Sequence, residues 1–189
     1  VLVQSLAHRL PARFAASMIP RPASDEHPAW CQRYLDRVPD GDVLAFLRAQ
    51  GERSRALLAT VPPAQEGYAY APGKWSVKRL WQHVVDGERL FAYRALCIAR
   101  GDTQALPGFD EDAYAAQDGS EARSLADITA EYATVRAASS SLFAGLGASA
   151  WTRRGIANGN PVSVRALPWI IAGHELHHLA VLRERYGIG

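Results

Sequence analysis

Four long stretches of this chain carry apolar residues three and four positions apart, and no stretch sustains apolar–polar alternation between hairpin turns. A chain patterned this way must bury helix against helix. The first stretch covers about 42–60, with Leu44, Leu47, Gly51, Ser54 and Leu58 on one stripe and Pro62-Pro63 as its stop. A short helix over about 29–38 precedes it, opened by Pro28 and closed by Pro39-Asp40-Gly41. The second covers 76–100, with Ser76 as N-cap, Gly101 as stop, and Leu80, His83, Val84, Gly87, Leu90, Phe91, Arg94 and Ile98 on one face. The third covers 124–146, where Ser124 and Asp127 resemble a capping box and Leu125, Ile128, Tyr132, Val135, Leu142 and Leu146 form the apolar side. The fourth covers 163–186, ended by Gly187, with Leu167, Ile170, Ile171, His174, His178, Val181 and Arg185 on one face. Pro168 marks either its true start or a mild kink. The expected fold is all-α, a four-helix bundle with a short N-terminal helix. Residues 106–120, rich in Asp and Gly, read as a surface loop with one helical turn.

With 189 residues the chain suits one domain with one full core. Residues 1–17 differ in character: 1–23 hold His8, Arg9, Arg13 and Arg21 and no acidic residue, and the change follows Met18. They read as an extension outside the fold, either an organellar transit peptide or an upstream extension of the gene, leaving 18–189 as a single domain. A net charge of +2 without a clustered basic face argues against nucleic acid and anionic membrane as partners. The longest apolar run, 166–173, is too short to span a bilayer. Cys31 and Cys97 exclude a disulfide-dense scaffold and a cysteine-based zinc ribbon, and read as two reduced thiols in a cytoplasmic protein.

The histidines are unevenly placed. His8 and His27 fall outside the long stretches, whereas His83, His174, His177 and His178 fall inside them. His174 and His178 are four apart and point the same way from one helix, and His83 lies on the apolar face of another. Buried imidazoles need partners for their nitrogens, so three converging on inward faces suit a divalent metal with an open coordination position. Such a pair on one helix is a weak signal alone, and spacing does not decide between His174/His178 and His174/His177. Asp86 is one turn from His83, placed either to orient that imidazole or as a solvated surface acid. Glu175 faces sideways and reads as surface. Arg94 and Arg185 share the histidine stripes and suit either a substrate carboxylate or ion pairs in the end layers of the bundle, the latter being preferred. Trp75 and Trp81 read as packing residues.

Residues 174–178 satisfy His-Glu-x-x-His, which in a zincin would make Glu175 the general base. No nucleophile elbow occurs, and Gly73-Lys74 lacks the spacing and the Ser/Thr of a phosphate loop.

Four segments, in order, resemble the DinB-like (damage-inducible) family: Tyr70-Ala71-Pro72-Gly73-Lys74-Trp75-Ser76-Val77; His83-x-x-Asp86-x-Glu88-Arg89 leading to Arg94; Pro107-Gly108-Phe109-Asp110; and Ala172-Gly173-His174-Glu175-x-His177-His178 leading to Arg185-Tyr186. The similarity spans about 18–187. It implies an up-and-down-type bundle with a crossover connection, and a divalent metal held by His83, His174 and His178. His177 then becomes the non-ligand of its doublet, left as a group behind the ligands, a substrate contact or a surface residue. Because zincins need their own scaffold, the resemblance makes the His-Glu-x-x-His match a coincidence of spacing. The family further implies a metal-dependent enzyme acting on a small-molecule substrate. The leading expectation is a thiol-dependent S-transferase, with zinc or nickel activating a low-molecular-weight thiol co-substrate against small electrophiles. The alternatives are a metal-dependent hydrolase and a non-catalytic metal-binding stress or interaction module. A homodimer is a further expectation from the family.

Overall fold

The computed structural model describes residues 18–189, so the reading of residues 1–17 as an extension lies outside the described residues. Four long helices dominate: α2 (Val43–Leu58), α4 (Val77–Ala99), α6 (Leu125–Ala144) and α7 (Ala166–Val181). Short elements punctuate them: a 3-10 turn (Ala29–Cys31) running into α1 (Gln32–Leu35), α3 (Pro63–Glu66) and α5 (Glu111–Ala115). A two-stranded hairpin, β1 (Arg154–Ala157) and β2 (Asn160–Ser163), precedes α7.

The helix starts follow from their caps. Asp42 accepts from the amides of Leu44 (2.9 Å) and Ala45 (3.1 Å), and Ser76 accepts from that of Arg79 (3.1 Å). Ser124 accepts from the Asp127 amide at 3.0 Å while donating to the Asp127 carboxylate at 2.7 Å, a version of the capping box. Residues 106–120 form the expected loop with one turn, α5, capped by Asp110.

Two buried apolar clusters fix the wiring. One gathers Leu47 of α2, Phe91 and Ile98 of α4, Phe143 of α6, and Trp169 and Ile170 of α7. The other gathers Leu58, Trp81, Val84, Leu125, Ile128, Tyr132 and Leu182. Following each helix between them shows that α2 and α7 run one way and α4 and α6 the other. Helix α4 packs on α6 and α7, and α2 packs on the same two, so α2 and α4 lie across a diagonal. The four-helix bundle is as expected, but its order is up-down-down-up rather than up-and-down. The crossover is the stretch between α4 and α6, which must travel the length of the bundle because those neighbours run parallel.

Two local expectations are corrected. Residues 154–163 form an antiparallel hairpin, with Arg154 opposite Ser163 and Ala157 opposite Asn160. Its two-residue turn, Asn158-Gly159, has φ of 51° and 70°, the left-handed pair of a type I′ turn. Helix α7 therefore begins at Ala166 rather than Ser163. Pro168 falls in its first turn, where the missing N–H has no helical partner to lose, so it marks a start and not a kink.

Between the two apolar clusters lies a buried polar layer: Gln50 and Ser54 from α2, His83 and Glu88 from α4, Arg136 and Ser139 from α6, His174 and Glu175 from α7. Among the described residues no helix is long and apolar enough to cross a membrane. Cys31 and Cys97 are free thiols.

Candidate metal centre

Helices α4 and α7 bring His83, His174 and His178 together. His174 Nε2 lies 3.0 Å from His83 Nε2 and 3.1 Å from His178 Nε2, and one ligating nitrogen from each residue lies within 4.8 Å of the others. The antiparallel packing of the two helices and the i,i+4 spacing on α7 suffice for this convergence. His177 points elsewhere: its ring tilts against Tyr34 at 5.6 Å and lies edge-on to His178 at 5.0 Å.

Burial decides the charge state. It pushes the His83 imidazole down to about 4 and holds His174 and His178 well below the usual histidine range, with the neighbouring histidines adding to the effect. All three are therefore neutral at pH 7, the state that ligates metals. Left to themselves they are poorly satisfied. A proton on His174 Nε2 can serve one neighbour, and the other contact then sets like against like. The Nδ1 atom of His178 is buried with no partner among the described residues. Three neutral imidazole nitrogens aimed at one point could hold a metal ion.

Aromatic rings brace the trio. Trp75 packs on His83 at 4.9 Å, while Tyr34 and Phe91 meet His174 edge-on at 5.5 and 5.8 Å. Tyr34 reaches this position because Gly173 has no Cβ; one built there would lie 2.1 Å from the Tyr34 carbonyl oxygen.

Glu175 is not at the surface. It is 1% exposed and its carboxylate turns away from the histidines, accepting from Ser54 Oγ, Tyr132 OH (2.8 Å) and Arg136 Nη2. Arg136 in turn donates to Glu88 through Nε and Nη2 at 2.9–3.1 Å and to the Leu47 carbonyl through Nη1 at 2.8 Å. This network ties all four long helices together directly beside the trio. It also removes Glu175 as a general base, so the His-Glu-x-x-His string carries none of its zincin meaning. The network escaped the sequence reading, yet Tyr132, Arg136, Ser139 and Phe143 share one buried stripe, and a charged residue inside such a stripe is the signal that was there.

The other candidates disperse. Asp86 accepts from Gln82 at 3.1 Å and pairs with Arg89 at 3.6 Å; no hydrogen bond joins it to His83. Arg185 is exposed in the π-helical turn Leu182–Tyr186, remote from ion-pair partners among the described residues. Arg94 is buried, donates from Nη2 to the Pro107 carbonyl at 2.8 Å, and sits 5.8 Å from the Phe91 ring. Neither arginine forms the expected ion pair. Trp81 is a core residue, as read, and Trp75 adds a contact with His83.

The sequence profile of the DinB superfamily matches residues 46–182. The chain belongs to that superfamily. No curated protein matches it in sequence. Among solved structures it is similar to YfiT from Bacillus subtilis, described as a probable metal-dependent hydrolase with an unusual four-helix bundle topology: TM-score 0.66, 17% identity, covering 89% of this chain and 94% of that one. It is also similar to a mycothiol-dependent maleylpyruvate isomerase, with TM-score 0.62 and 15% identity, covering 77% of this chain and 61% of that one.

Proposed function

We propose that the protein is a metal-dependent enzyme whose divalent cation, zinc or nickel, is held by His83, His174 and His178, and that it transfers a low-molecular-weight thiol to a small electrophile. The observation that carries this reading is the convergence of three neutral Nε2 atoms, two from buried histidines and one from the half-buried His178, on a His174 nitrogen that has one proton or one lone pair to share between two neighbours. When bound, the cation supplies Lewis-acid stabilisation of an anion at its open position.

The choice of nucleophile follows from the residues around the trio. Glu175 is sealed by Arg136, Tyr132 and Ser54 and cannot take a proton from a nucleophile. Asp86 faces Gln82 and Arg89. A cation held by the trio would lower the pKa of a thiol, ordinarily about 8.5, far enough to ionise it without a general base. Trp75, Tyr34 and Phe91 keep the imidazoles fixed and present an apolar wall to the reactants. The mycothiol dependence stated for the isomerase of similar fold supports the thiol reading; the description of YfiT supports hydrolysis as the second reading.

The test is turnover by metal-loaded protein. A panel of small thiols with an electrophilic aromatic or epoxide substrate is run beside a panel of activated esters without thiol. Thiol-dependent turnover lost in His83→Ala supports the proposal. Ester hydrolysis without thiol, lost in the same variant, replaces it with the second reading, and no turnover of either kind leaves a metal-binding module.

A further inference from the structure

Three tyrosines are buried among the described residues: Tyr34, Tyr132 and Tyr186. A buried phenol ordinarily places its proton on an acceptor. Tyr132 places it on Glu175 and Tyr186 on the Trp75 carbonyl, each at 2.8 Å. Tyr34 differs. Its oxygen accepts from Arg33 Nη2 at 3.1 Å, and its own proton meets no acceptor among the described residues. It is also the one of the three whose ring packs on the histidine trio, edge-on to His174 at 5.5 Å.

The place of the hydroxyl follows from what surrounds the residue. The Tyr34 backbone is pressed against Gly173, and its ring reaches both His174 and His177, so the side chain runs along α7 in the direction of His178. Burial raises the pKa of the hydroxyl, with Arg33 opposing the rise and Glu111 of α5 adding to it. Burial lowers that of His83, and Asp112, the next residue of α5, opposes the fall. The hydroxyl and the trio therefore share the gap between α1, α5 and α7, and the phenol keeps its proton at neutral pH. The Arg33 guanidinium carbon stands 4.9 Å over the Tyr34 ring. A hydroxyl that accepts from a cation is a stronger donor for it. Packing on His174 uses only the ring, and phenylalanine would serve that purpose; the hydroxyl with a cation behind it is the part that packing leaves unused.

We propose that the Tyr34 hydroxyl binds the reactant at the metal centre, donating its free proton in a hydrogen bond to the reactant's anionic sulfur or oxygen. This role rests on the metal-dependent function proposed above. Either nucleophile of that function, a thiolate or a hydroxide, presents such an anion.

The test uses the full chain loaded with cobalt(II), whose visible spectrum reports a change of ligand. 2-Mercaptoethanol, azide and imidazole are titrated into the parent and into Tyr34→Phe. Phenylalanine keeps the ring that braces His174 and loses only the O–H, so cobalt uptake and unfolding temperature are expected to stay the same. 2-Mercaptoethanol and azide should bind the variant about tenfold more weakly, the scale of losing a hydrogen bond to a charged group. Imidazole has no lone pair left once it ligates through one nitrogen, and should bind both proteins alike. Arg33→Gln, at an exposed position, should reproduce part of the anion effect and supplies the comparison if the phenylalanine variant does not fold. Equal anion affinity in parent and variant overturns the role, as does an equal weakening of imidazole. Weaker azide binding in Tyr34→Phe, in a protein that binds no 2-mercaptoethanol, supports the role and overturns the thiol reading. Thiol binding that is the same in parent and variant does the reverse. A parent that takes up no cobalt overturns the metal centre and this role together.

Discussion

Gly87 on α4 faces the imidazole of His174 on α7, and a Cβ at position 87 would lie 3.1 Å from His174 Cε1 and 3.5 Å from Nδ1. The ring cannot yield easily, because Tyr34, Phe91, His83 and His178 hold its other edges. Gly87→Ala is therefore expected to tilt His174 off the common point and weaken metal binding by roughly tenfold, within the range seen when ligand orientation is disturbed. Fold stability should change little, since alanine gains about 1 kcal/mol in a helix interior against the cost of the contact. Competition with a chromophoric chelator, alongside urea unfolding, measures both. Unaltered affinity in a folded variant would show that His174 does not need that space.

The Arg136 network gives a prediction about stability. Arg136→Met leaves the carboxylates of Glu88 and Glu175 buried without their cation and is expected to cost about 3–5 kcal/mol. Adding Glu88→Leu and Glu175→Met should recover much of that loss, because an apolar layer needs no partner. Urea denaturation of the single and combined variants decides it. A loss of less than about 1 kcal/mol in the single variant would mean the network is well hydrated and not the closed layer seen between the helices.

The helices were legible because two independent signals agree: stripes of apolar residues and the caps at Ser76 and Ser124. The trio was legible in part, since spacing placed His83, His174 and His178 on inward faces but left His177 as a competitor. Glu175 was misread for a physical reason. From Ala166 to Glu175 every residue of α7 is buried, so the sideways face that reads as solvent on an ordinary amphipathic helix is here packed against α2 and α6. The hairpin was missed because its strands are four residues long, too short to show alternation, although Asn158-Gly159 is a hairpin turn signal. The contact of Tyr34 with His174 and that of Arg94 with the Pro107 carbonyl come from packing of the N-terminal turn and the crossover, which no local pattern records.

Acid should destabilise the metal-free protein in a definite window. Burial lowers His83 from 6.5 to about 4, and His174 and His178 shift the same way. Between those values the unfolded chain binds more protons than the folded one, so stability rises with pH. It is fully present above pH 6.5 and is lost as pH falls toward 4. His83 alone accounts for roughly 3 kcal/mol at about 1.4 kcal/mol per pKa unit. Urea midpoints of chelator-treated protein at pH 7.5, 6 and 5 should fall in order, with a shallower fall in His83→Phe. A midpoint that stays flat from pH 7.5 to 5 would mean the imidazoles are more hydrated than their burial indicates.

The central claim is that His83, His174 and His178 hold one divalent cation. The most direct measurement is the metal content, by elemental mass spectrometry, of tag-free protein and of its His83→Ala variant, each also titrated with zinc and nickel. The expected result is about one equivalent in the parent and little in the variant, with uptake by the parent alone. A folded parent that contains no metal and takes up neither ion would contradict the account and leave the three histidines as packing residues of the bundle.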